Sequence, residues 1–156
     1  MIRSVRIHEF GGPEVLRIER IEVEEPGEGE VRVRIRAIGI NRTEITLRSG
    51  RSPLKPSLPA KLGFEAAGEI EAIGAGVKGV AIGDRVALVP AYAASRYGLY
   101  GESSLAPARS LIKIPDTVNF EQGSGNVGCL RYGMGGTGGI GQACSRPDGF
   151  AARRFQ

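Results

Sequence analysis

The chain has 156 residues, 41% hydrophobic and 24% charged, which fits one globular domain and excludes two of ordinary size. No apolar run approaches the roughly 18 residues of a membrane span, and the alternating N-terminus MIRSVRIHEF reads as neither signal nor transit peptide, so a cytoplasmic location is expected. The net charge of +4 arises mainly at one end: residues 1–122 hold 17 Lys+Arg against 16 Asp+Glu, whereas residues 123–156 hold four Arg against one Asp. A near-neutral body without a basic, aromatic-interleaved stripe predicts no nucleic-acid partner.

In chain order, Val5 and Ile7 alternate with Arg6 and His8 as in a strand. A second alternating run covers Val15 to Val23, with a phase slip between Ile18 and Ile21 that suits a bulge. The clearest run is Glu30 to Ala37, where Val31, Val33, Ile35 and Ala37 face one way and Arg32, Arg34 and Arg36 the other. Gly11-Gly12-Pro13 and Pro26-Gly27-Glu28-Gly29 supply the turns between these strands. After Asn41, the spacing of Ile45 and Leu47, with Glu44 and Arg48 at i and i+4, predicts a short helix ending at Gly50. Pro53, Pro56 and Pro59 keep the next segment extended. Further strands are predicted over 69–73, 85–89 and 104–114. Short strands, glycine turns and one brief helix predict a mainly β fold, an antiparallel barrel or sandwich.

From Gly123 onward the pattern breaks. Ten of the 34 tail residues are Gly, against 14 of the preceding 122, and hydrophobic periodicity is lost. So little apolar surface cannot offset the ordering entropy of that glycine, and residues 123–156 are expected to be poorly ordered. Cys129 and Cys144 match no zinc or disulfide framework and read as incidental thiols. Gly136-Thr137-Gly138-Gly139-Ile140-Gly141 fits G-x-G-x-x-G. It lacks a firm preceding strand, and Pro147 stops any helix after it, so it reads as a chance match.

Six motifs carry a resemblance: HEFGGPEVLRIE (8–19), PGEGEVRVRIRAIGINRTEI (26–45), LGFEAAGEIEAIGAGV (62–77), IGDRVAL (82–88), YGLYGE (97–102) and IKIPDTVNFEQ (112–122). Their order and spacing resemble the medium-chain dehydrogenase/reductase family over residues 1–122. The resemblance implies a GroES-like antiparallel β-barrel, the substrate-side domain, with the family's Rossmann domain missing. Zinc alcohol dehydrogenases of that family place a Cys where Asn41 stands and a His-Glu pair where Phe64 and Glu65 stand. The segment thus resembles a zinc-free relative of the quinone oxidoreductase type. The cysteine-rich loop of the zinc enzymes is missing too, so no closed tetrahedral zinc site is expected.

What the resemblance implies is hydride transfer from NADPH to a quinone, enone or carbonyl acceptor, with hydrogen bonds and positioning in place of metal polarisation. Asn41 would contact the nicotinamide or the acceptor carbonyl, while a helix-capping role with Glu44 explains it equally. Thr43 and Arg48 would lie on the coenzyme side, or simply on a solvated helix face. Glu65 is either a cleft carboxylate or a surface residue paired with an Arg. Tyr97 and Tyr100 occupy a loop that wraps the cleft in relatives, or are ordinary loop aromatics. Arg51-Ser52 stands where many relatives carry a Tyr that orients substrate.

Relatives continue past residue 122 with an Ala-rich stretch, a Trp and a Thr-Ala-Tyr/Trp-Gly run. Reading the back-translated Gly123–Gly135 one nucleotide later allows Ala-Ala-Ala-Thr-Trp and then Thr-Ala-Trp-Gly, so a frameshift after Gln122 is expected. The chain alone is then expected to be inactive. Unfinished interdomain surface is expected to expose apolar area and favour a homo-oligomer. The competing readings are a stand-alone GroES-like binding or oligomerisation module and a zinc-dependent alcohol dehydrogenase fragment.

Overall fold

The alternation over residues 30–39 becomes the longest strand of the protein, β3 (Glu30–Gly39), whose neighbours organise the rest. The structure is a computed structural model that describes residues 1–53, 55–89, 96–125 and the pair 153–154. Strands β1 (Ile2–Ile7), β2 (Arg17–Ile21) and β4 (Ala60–Lys61) form a three-stranded antiparallel sheet in the order β2-β1-β4. A second antiparallel sheet runs β7-β3-β5-β6-β8, built from β5 (Glu65–Ile73), β6 (Arg85–Leu88), β7 (Ser103–Pro107) and β8 (Leu111–Lys113). Arg153–Arg154 add a two-residue strand, β9, against Ala37 and Ile38 of β3. Two helices complete the described residues, α1 (Arg42–Arg48) and α2 (Phe120–Gly125).

The main core lies inside the larger sheet, where Val31, Val33, Ile70, Val86, Leu88 and Leu99 are all but inaccessible to solvent. A second cluster, Ile7, Val15, Leu47, Ala60 and Leu62, ties α1 to the small sheet. A third, Ala67, Ala87 and Ile114, receives Phe120 from α2.

Several expectations change on the structure. Pairing of β3 with β5 is interrupted twice: Arg36 is an extra residue on β3, and Glu71 an extra residue on β5. The extra residue at 36 shifts the side-chain phase, so Ile38, not Ala37, joins Val31, Val33 and Ile35 in the main core. The bulge expected between Ile18 and Ile21 is absent: β1 and β2 pair continuously from Ile2↔Ile21 to Arg6↔Arg17. Ile18 instead faces solvent on the edge strand, 75% exposed. The single strand predicted over 104–114 is two strands separated by a 3-10 turn at Ala108–Ser110.

Helix α1 ends as predicted, with Gly50 at φ +72 after Ser49. The first three tail residues form the end of α2, and Arg153–Arg154 pair with β3. The rest of the tail, with Cys129, Cys144 and the glycine pattern at 136–141, lies outside the described residues. No helix among the described residues is long and apolar enough to cross a membrane.

Candidate active site

Strand β3 ends at Gly39 and α1 begins at Arg42, so Asn41 sits at the junction as the residue preceding the helix, with extended backbone (φ −113, ψ 142). Glu44 lies one turn into α1 and is 5% exposed. Its carboxylate accepts the main-chain N–H of Asn41 at 3.1 Å, the reciprocal half of a capping box. It also accepts the N–H of Phe64 at 3.0 Å, and the hydroxyl of Tyr100 donates to its Oε2. One buried carboxylate therefore joins the start of α1, the turn before β5 and the loop before β7.

Gly63 makes that convergence sterically feasible. Its φ of +107 favours glycine, and a Cβ there would stand 2.7 Å from the Tyr100 amide nitrogen. The two segments are held together by Tyr100 N–H donating to Leu62 O at 2.8 Å.

Glu65, the first residue of β5, is 9% exposed and makes no ion pair among the described residues. The surface reading, in which an Arg would pair with it, is thereby corrected. Its side chain lies over Gly39, where a Cβ would meet Glu65 Oε2 and Ser124 O, each at 2.9 Å. Burial pushes the Glu65 carboxyl above its ordinary pKa, offset only in part by Asn41. Burial raises Glu44 as well, against its three hydrogen-bond donors, and the nearby Glu65 charge adds to the rise. Burial and the Glu44 carboxylate hold the Tyr100 phenol far above its usual range.

Asn41, Glu44, Glu65 and Tyr100 are thus brought together. The Asn41 Nδ2 atom is buried there beside the Glu65 carboxyl, close enough to favour its charged form, but among the described residues it makes no well-aligned hydrogen bond. Thr43 is exposed and takes no part in the cluster's hydrogen bonds. Arg48 closes the other end of α1, half-buried, with Nη1 buried and without a hydrogen-bond partner among the described residues. Tyr97 is separate: its hydroxyl donates to Glu30 at 2.7 Å. Glu44 is the member whose wider role the sequence concealed, since only its capping spacing from Asn41 is local. Among the described residues no group of three or more His, Cys, Asp or Glu side chains is placed to hold a metal ion.

The mainly antiparallel fold and this strand–helix junction define a GroES-like domain. Residues 27–116 match the alcohol dehydrogenase GroES-like domain model, and the chain belongs to that family. It is 43% identical to a quinone oxidoreductase of Pseudomonas aeruginosa over 122 residues, covering 78% of this chain and 36% of that protein. Among solved structures, Escherichia coli quinone oxidoreductase complexed with NADPH superposes with a TM-score of 0.70 at 35% identity, over 78% of this chain and 36% of that one. The human synaptic vesicle membrane protein VAT-1 homolog-like protein gives 0.72 at 36% identity, over 79% of this chain and 38% of that one. The chain is therefore a medium-chain dehydrogenase/reductase segment of the quinone oxidoreductase type, spanning little more than a third of the relatives' length.

Proposed function

We propose that the chain supplies the acceptor side of an NADPH-dependent reductase that transfers hydride to quinones, enones or related carbonyl compounds without zinc. The observation that carries this reading is the buried Asn41 Nδ2 donor, set beside the buried Glu65 carboxyl without a well-aligned hydrogen bond among the described residues. Such a donor fits a carbonyl oxygen, whether the nicotinamide carboxamide or the acceptor's own. Bound NADPH would supply the hydride. The chain's residues would do the rest: Asn41 orients and polarises the carbonyl, and Thr43 and Arg48 lie toward the coenzyme. Glu65, whose pKa burial raises above its ordinary value, would pass a proton to the oxygen that gains electron density. Hydride plus proton completes a two-electron reduction. Phe64, standing where a zinc enzyme places His, brings no lone pair to a metal.

The test joins residues 1–122 to the nucleotide-binding half of the Pseudomonas aeruginosa relative and follows quinone-dependent NADPH oxidation. Turnover is expected, with Asn41→Ala lowering kcat/KM roughly a hundredfold, the usual loss when one carbonyl-directed donor is removed. Absence of turnover across a broad acceptor panel, or an unaffected Asn41→Ala, would reject the reading.

A further inference from the structure

Arg85 opens β6 within the motif IGDRVAL and is not a member of the cluster at Asn41. Its Cα partner on β5 is Glu69, yet Glu69 bonds Arg36. The Arg85 guanidinium turns instead to the segment that leads into α2. Nη1 donates to Pro115 O at 2.9 Å and Nη2 to Val118 O at 2.6 Å. Pro115 and Val118 are the two ends of one turn, closed by Val118 N–H donating to Pro115 O at 3.0 Å. The same guanidinium lies over the ring of Phe120, the first residue of α2, 4.6 Å from its centroid. Asp116 Oδ1 is 3.3 Å from Nη1, but that side chain is 98% exposed, so the ion pair adds little. The grip is made by a planar fork on two carbonyls and by its face on a ring, a pairing of contacts that lysine cannot reproduce.

The turn delivers α2 to the site. Six residues, two of them Gly, give this helix little stability of its own, so where it sits is decided by its anchors. The Asn119–Gln122 cap shapes the helix from within, whereas Arg85 ties it to the sheet. At the other end of α2, Gly123 and Ser124 are buried. A Cβ on Gly123 would meet Ile114 Cδ1 at 3.0 Å and Ala67 Cβ at 3.3 Å, so the helix lies flush on β5. Ser124 O and Glu65 Oε2 both stand 2.9 Å from where a Cβ on Gly39 would be, which makes the helix and the carboxyl neighbours.

We propose that Arg85 is a positioning residue for the reductase site: its grip on the 115–118 turn and on Phe120 seats α2 against Gly39, and the seated helix keeps water from Glu65. The inference rests on the reading of Glu65 as the proton donor. Arg85 acts through α2. The ionisable groups beside Glu65 are Glu44 of α1 and Tyr100 of the loop before β7, and neither bonds to Arg85.

The experiment compares Arg85→Gln, Arg85→Lys and Val31→Ala in the 156-residue chain. Val31 is fully buried near the end of β3 remote from Gly39, and its truncation supplies a loss of stability that leaves α2 in place. Arg85→Gln is expected to speed hydrogen exchange at Gly123 about tenfold. It should also bring the Glu65 titration, followed by carboxyl-carbon NMR, down toward the ordinary value of 4.5. Arg85→Lys keeps a cation without the fork and is expected to show the same changes at smaller size, and it carries the test if Arg85→Gln fails to fold. Val31→Ala is expected to leave the Glu65 titration where it is. An unmoved Glu65 titration in both Arg85 variants, or an equal shift in Val31→Ala, would overturn the proposal. The titration is read on the chain alone, so its outcome is separate from the turnover test of the joined protein.

Discussion

The Tyr100 hydroxyl donates to the Glu44 carboxylate across 56 residues of sequence, and in doing so it ties the loop before β7 to the first turn of α1. Glu44 is nearly inaccessible to solvent, so the bond forms where water cannot replace it. Tyr100→Phe keeps the ring and removes only the hydroxyl, and it is expected to destabilise the domain by about 1.5–3 kcal/mol, the range for hydrogen bonds to charged groups. Glu44→Ala leaves the Asn41 and Phe64 amides and the Tyr100 hydroxyl unpaired together, and should cost more than Tyr100→Phe. Urea unfolding of both variants checks the order. Equal stability of Tyr100→Phe and wild type would remove the clamp from the account.

The acidity of Glu44 and Glu65 has a defined sign in stability. Both are raised in the folded chain, chiefly by burial, above an ordinary value of 4.5. Their contribution is therefore fully present below that value and is lost as pH rises through the folded pKa. Glu102 is lowered by the Arg3 main-chain N–H and then its guanidinium, Glu71 chiefly by Arg34 and Asp84 chiefly by Lys113, and all three act oppositely, losing their contribution on acidification. The two trends are separated by difference: Glu65→Gln should gain stability relative to wild type as pH is raised from about 4.5 toward neutrality. Urea midpoints of the pair across that range provide the measurement, and a constant difference would mean that Glu65 ionises normally.

Gly39 leaves the space that the Glu65 side chain fills. A Cβ there would stand 2.9 Å from both Glu65 Oε2 and the Ser124 carbonyl, the latter a backbone atom of α2 that cannot swing away. Gly39→Ala is expected to cost about 1–3 kcal/mol through overpacking. It should also raise hydrogen exchange at Gly123, whose amide bonds to Asn119 at 2.9 Å, because α2 is the element that must move. Unchanged exchange in α2 would show that Glu65 alone yields.

How much of this was readable from the residues depends on how local each cause is. The alternation of β3 was legible because period 2 over residues 30–35 requires no partner strand. The slip at Arg36 was not, since a bulge is set by the register with β5, and a single extra residue leaves no trace in a pattern that stays apolar at Ala37 and Ile38. Asn41 could be singled out from the motif it occupies, and Glu44 from capping spacing. The Tyr100 partner and the Phe64 amide were invisible, because only the folded chain brings residues 44, 64 and 100 together. The burial of Glu65 was undecidable for the same reason: its cover comes from Gly39 and α2.

Helix α2 was missed although its signal is local. Asn119 and Gln122 form a reciprocal cap: Gln122 N–H donates to Asn119 Oδ1 at 2.7 Å, and Asn119 N–H donates to Gln122 Oε1 at 3.1 Å. Asn-x-x-Gln before a helix is the capping box in its amide form, and the glycines that follow it are poor helix formers that mask the signal. The box matters more here than in a long helix, because six residues, two of them Gly, have little intrinsic helical stability. Asn119→Ala is expected to cost about 1 kcal/mol and to loosen the cover over Glu65, returning its pKa toward the ordinary carboxylate value as water enters. Carboxyl-carbon NMR titration of Glu65 in the variant tests this directly. A stability loss without any movement of the Glu65 titration would separate the cap from the site.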